Sequence, residues 1–156
     1  MLNCPNGSRR GGGDKKWDVI HFNWGLHDLK YLGPKGANLQ DPSDPANHQQ
    51  VPPDEYRKNL TVLVKQLQET GAKLIWRNTT PVPEGARGRA VGDSMKYNEI
   101  AAEIMKDAEI EIHDLYSFAK ERQAEIQRKA DVHFSPEGSE VLASDVVRVI
   151  SDALKK

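Results

Sequence analysis

Three short apolar runs alternate with longer amphipathic stretches along this chain, and few folds accommodate that order. The runs are Asp18-Val19-Ile20-His21-Phe22-Asn23, Lys73-Leu74-Ile75-Trp76-Arg77-Asn78 and Glu109-Ile110-Glu111-Ile112-His113. The first is apolar on both faces, as strands of buried parallel sheets are. Between the first two, a helix is predicted from Pro53, with Tyr56, Leu60, Leu63, Val64 and Leu67 at helical spacing and Gly71 as its stop. Between the second and third, Tyr97, Ile100, Ala101, Ile104, Met105 and Ala108 repeat that spacing. Leu115 to about Arg128 reads as helical, and a last helix opens at Pro136 and buries Val141, Leu142, Val146, Val149, Ile150 and Leu154. Strand, helix, strand, helix, strand, helix, helix calls for an α/β fold: a parallel sheet with helices on both faces and right-handed crossovers.

The remaining stretches are punctuation. Residues 1–16 are a Gly-rich lead-in, expected to be flexible, and residues 33–53, rich in Pro, Asn, Asp and Gln, are predicted to form a long surface loop. At 156 residues the chain is expected to be a single domain. Its net charge of -1 offers no bulk attraction to nucleic acid or to an acidic membrane. Arg9-Arg10 and Lys15-Lys16 read as a solvated basic segment. Cys4 is the lone cysteine, so neither an internal disulfide nor a cysteine zinc site is expected. No run approaches the roughly 20 apolar residues of a membrane helix. Without a visible signal segment, a cytoplasmic protein is the default expectation, and a truncated chain would look the same.

Ligands of such sheets gather at the carboxyl ends of the strands. Those ends carry Gly25-Leu26-His27-Asp28, Asn78-Thr79-Thr80 and His113-Asp114. Near the C-terminus, Asp131-Val132-His133-Phe134-Ser135-Pro136-Glu137-Gly138 places a histidine on the loop into the last helix, with Ser135 poised to cap it and Pro136 at its first position. A loop imidazole beside a carboxylate suits general-base work, and the bland alternative is a surface histidine near a helix start.

Taken together these residues resemble the SGNH (GDSL-type) hydrolases, esterases and lipases on a flavodoxin-like sheet, from about Trp17 to Ala143. Gly25-Leu26-His27-Asp28 resembles the third block of that family, Gly-x-Asn-Asp, and Asp131-Val132-His133 with the following Phe-Ser-Pro-Glu-Gly resembles its fifth. The resemblance implies a three-layer, flavodoxin-like architecture and acyl transfer with His133 as general base and Asp131 as its orienter. It further implies oxyanion donation from His27, where the family has Asn, and from the backbone of Gly7, in what remains of the second block. The family places its Asp three residues before the His; here Ala130 holds that position. The nucleophilic Ser at the end of the family's first strand has no counterpart, which implies a chain that begins after that strand.

Gly92-Asp93-Ser94 is the one Gly-Asp-Ser in the chain, between a Pro/Gly loop and a helix. It reads as a helix cap by Asp93 or Ser94, or as a relocated nucleophile at Ser94; Ser8 is a weaker candidate. The expected function is hydrolysis of acyl or acetyl esters by Ser94, His133 and Asp131, without cofactor, on a small-molecule ester or acetylated carbohydrate. The alternative is a catalytically impaired remnant of such an enzyme, serving as an oligomeric binding module. A metal-dependent hydrolase would draw on His21, His27, Asp28, His113 and His133, which lack ligand spacing. With the family's first strand missing, Asp18–Asn23 becomes a sheet edge of interior character, and a homo-oligomer joined there is expected.

Overall fold

The computed structural model describes residues 16–155, so the Gly-rich lead-in, with Gly7 and Ser8, lies outside the described residues except for Lys16. Strands β1 (Val19–Phe22), β4 (Lys73–Arg77) and β5 (Glu111–His113) form a parallel sheet in the order β1-β4-β5. The register sets His21 opposite Ile75 and Phe22 opposite Trp76, and Arg77 opposite His113. Because side chains alternate along a strand, Leu74 and Trp76 point to one face of the sheet and Ile75 and Arg77 to the other.

The Leu74/Trp76 face is covered by α1 (Pro53–Gln68) and α2 (Asp93–Asp107). Helix α1 begins where the sequence predicts: Pro53 sits in the first turn with Asp54 and Glu55, which suit the positive end of the helix dipole. Tyr56, Leu60 and Val64 from α1 meet Tyr97, Ala101 and Met105 from α2 in one apolar cluster with Phe22, Leu29 and Trp76. A smaller cluster on the opposite side joins Leu115 and Ala119 of α3 (Leu115–Glu121), Ile126 of α4 (Gln123–Ile126) and Leu142 of α5 (Pro136–Leu154). Helices thus flank the parallel sheet on both faces, the α/β architecture expected.

Three expectations change. The helix predicted over Leu115 to about Arg128 is two short helices: the Arg122 amide bonds back to the Ala119 carbonyl, three residues away, which closes the first helix. The Arg122 guanidinium then stacks over the Phe118 ring, 4.1 Å from its centre. The predicted surface loop holds a two-stranded antiparallel ribbon, β2 (Tyr31–Leu32) with β3 (His48–Gln49), around a 3-10 turn at Pro34–Gly36. Finally, α5 buries Leu142 and Ala153, but Val141 is 37% and Leu154 58% exposed. Among the described residues the sheet stops at β1, so part of this apolar helix has no strand beneath it.

Candidate functional site

The loop between α4 and α5 closes on itself through main-chain bonds from Arg128 N to His133 O and from Ser135 N to Ile126 O. Ser135 caps α5 as predicted, its Oγ accepting from Gly138 N at 2.9 Å. Within the loop, Asp131 Oδ1 lies 2.7 Å from His133 Nδ1 and also accepts from the His133 backbone N–H at 3.1 Å. Ala130, at φ 53°, makes the left-handed turn just before, so a carboxylate two residues from the histidine still reaches its ring. Those bonds from His133, side-chain first and then backbone, hold the Asp131 carboxyl below its ordinary range. With Nδ1 engaged by the carboxylate and the His133 side chain 74% exposed, Nε2 is left as a solvent-facing proton acceptor.

His27 sits exposed on the turn after β1. That turn depends on Gly25, at φ 149°, where a Cβ would run into the Thr79 hydroxyl. The next residue, Leu26, offers its carbonyl to Arg89 Nε at 3.1 Å. Burial lowers the Arg89 guanidinium from its ordinary range, and the Asp131 carboxylate opposes that shift. Arg89 is thus bonded to the His27 turn and lies within the field of the Asp131 carboxylate. The sequence flagged only a Pro/Gly loop here. The signal was Gly88, packed so closely that a Cβ would overlap the Leu39 backbone, which fixes where the chain delivers Arg89.

Ser94 and Asp93 are each 1% exposed. The N-cap of α2 is Gly92, at φ 90°, and neither Asp93 nor Ser94 caps the helix with its side chain, contrary to the capping expectation. The reason is that the Asp93 carboxylate is committed elsewhere. It accepts from Gln49 Nε2 at 2.9 Å, from the Tyr31 hydroxyl at 3.3 Å and from Lys96 Nζ at 2.9 Å. Asp93 pins the β2–β3 ribbon onto the start of α2. No hydrogen bond joins Ser94 to His133 among the described residues: the serine is buried at the start of α2 and the imidazole is open to solvent.

A second histidine chain escaped the sequence reading. On the α5 face, His21 Nε2 lies 2.9 Å from His113 Nδ1, and His113 Nε2 lies 2.7 Å from Asp145 Oδ2. Asp145 also accepts twice from Arg148, at 3.0 and 2.7 Å. With Asp145 ionised, His113 carries its proton on Nε2 and accepts from His21 Nε2–H, so the tautomers of both rings are fixed. Burial foremost, then the His113 ring and Arg77, lower the His21 imidazole to about 4. The five histidines and Asp28 do not converge: among the described residues no three or more His, Cys, Asp or Glu side chains form a group that could hold a metal ion.

No protein-family model matches the chain, and no curated protein does. Solved structures are similar in fold, two among them over more than 60% of this chain. One is a lipase/acylhydrolase from Enterococcus faecalis, 22% identical, with a TM-score of 0.56 over 64% of this chain and 52% of that one. The other is LAE5, an alpha/beta hydrolase enzyme from the metagenome of Lake Arreo, Spain, 21% identical, with a TM-score of 0.51 over 63% of this chain and 47% of that one. The chain spans about half the length of each of these two proteins.

Proposed function

We propose that the chain belongs to an ester hydrolase of the SGNH type, acting on small acyl or acetyl esters. The observation that carries the reading is the Asp131–His133 pair, 2.7 Å apart, with its free imidazole nitrogen toward solvent. In this reading His133 removes the proton of the attacking hydroxyl and returns it to the leaving alcohol, while Asp131 stabilises the imidazolium. His27, with a backbone N–H at Gly7, donates to the developing oxyanion. Ser94 supplies the hydroxyl once the start of α2 opens, since at 1% exposure it meets no substrate where it lies. The fold shared with a lipase/acylhydrolase is compatible with this chemistry.

Burial of Ser94 favours a second reading, a catalytically impaired relative that retains the fold and acts as an oligomeric binding module. Turnover of short p-nitrophenyl esters by the wild type, Ser94→Ala and His133→Ala separates the two. Loss in His133→Ala alone keeps the base and removes Ser94 as nucleophile. Equal turnover in all three proteins, or none together with no labelling by a fluorophosphonate probe, leaves the binding module standing.

A further inference from the structure

A cavity of about 400 Å³ opens between α1 and the turn that follows β1. That volume lies within the range of small-molecule sites. Leu63 and Val62, the latter 55% exposed, line it from α1, and Trp24, 37% exposed, lines it from the turn. The Trp24 ring rests against that of Phe22, with 5.5 Å between their centres. No residue of the 127–135 loop borders the cavity and His27 does not either, so it is separate from the groups assigned to acyl transfer.

Of the side chains around it Asp28 alone is a carboxylate, and no Lys or Arg among them answers its charge. Burial raises the Asp28 carboxyl above its ordinary range, against the main-chain N–H groups of Asp28 and Gly25 and the neighbouring His27, which pull it down. The carboxylate is neither paired nor sealed: no ion pair among the described residues includes it, and Asp28 is part-exposed on the cavity wall. Burial foremost, and then the Asp28 charge, raise the hydroxyl of Tyr56, another residue of that wall, so the carboxylate lies on the cavity side of the turn. The remaining polar groups make no competing demand. The Tyr56 hydroxyl donates to the Trp24 carbonyl at 2.9 Å, and Asn59, Gln66 and Trp24 are exposed, where water serves their side chains. A part-desolvated carboxylate without a counter-ion, beside an aromatic ring and an apolar stripe, complements a cation on an alkyl body.

We propose that this cavity binds an organic cation, a primary alkylammonium whose N–H groups donate to the Asp28 carboxylate while its alkyl part lies on Val62, Leu63 and the Trp24 ring. The site asks for one positive charge and an apolar body, and it repels an anion. It stands whether or not the chain hydrolyses esters, because the probe below carries no ester and its titration reads binding alone.

The test is titration of the ¹⁵N-labelled full chain with hexylammonium chloride at neutral pH and low ionic strength, following the three indole N–H signals, with Trp24 assigned by its absence in Trp24→Phe. The expected result is a saturable shift of the Trp24 signal while Trp17 and Trp76 stay in place. Hexanol, which keeps the alkyl body without the charge, should bind about tenfold more weakly. Asp28→Asn should weaken hexylammonium by about the same factor. Val62→Lys, on the exposed side of α1, should weaken it too without touching the turn. A Trp24 signal that hexylammonium leaves unmoved overturns the proposal. So does hexanol binding as tightly as the ammonium, or an affinity that Asp28→Asn leaves unchanged; should that variant fail to fold, Val62→Lys decides in its place.

Discussion

Asp131 Oδ1 and His133 Nδ1 are 2.7 Å apart, two residues apart in the chain, and the pair is closed by a left-handed Ala130 rather than by the longer spacing of the family it resembles. If this pair is the base of an esterase, Asp131→Asn leaves the shape intact but presents an amide that favours the wrong histidine tautomer. The expected loss in kcat on p-nitrophenyl acetate is on the order of 10²-fold or more. Steady-state rates of Asp131→Asn beside His133→Ala check it, and a variant as fast as wild type removes Asp131 from the mechanism.

Asp93 predicts a stability effect instead. Asp93→Ala leaves Gln49, Tyr31 and Lys96 without their shared acceptor and should cost roughly 2–4 kcal/mol. Ser94→Ala, one residue on, removes only a hydroxyl and should cost about 1 kcal/mol or less. Urea unfolding midpoints at constant slope compare the two, and equal losses would refute the role given to Asp93.

The His21 imidazole, lowered from its ordinary 6.5 to about 4, gives a pH dependence with a definite sign. The unfolded chain takes up this proton as pH falls through 6.5, whereas the folded chain resists until about 4, so stability is fully present above 6.5 and is lost between those values. The ring is part-exposed, so after allowing for solvent screening the loss is roughly 1–2 kcal/mol. Thermal melts at pH 7 and pH 4.5 should show a larger drop for the wild type than for His21→Gln.

At β1, Val19, Ile20 and Phe22 sit on a strand paired on one side alone among the described residues, without the Lys or Pro that protects exposed edges. Exposed Val147, at 62%, and Leu154, at 58%, add uncovered apolar surface on α5. We expect self-association through the β1 edge, visible by light scattering as a mass above that of one chain at micromolar concentration. A clean monomer there rules it out.

What the sequence made legible was local. The apolar runs of β1 and β4, Pro53 opening α1, and Ser135 with Pro136 opening α5 each follow from neighbouring residues, and all are present. The Asp131–His133 contact was legible for the same reason, being two residues long. The rest is long-range: Asp93 meets Gln49 across 44 positions, Arg89 meets Leu26 across 63, and His21 meets His113 across 92. No local pattern encodes a partner that distant, so Gly92-Asp93-Ser94 read as a cap or a nucleophile when its acid had another task.

Tyr31, Gln49 and Lys96 converge on the one carboxylate of Asp93, which couples the ribbon's motion to that of α2. Such a segment does not fray from its tip. Loss of that shared acceptor would loosen the ribbon and the helix start together, so solvent exchange at the first turn of α2 and at Gln49 should rise and fall with a common rate.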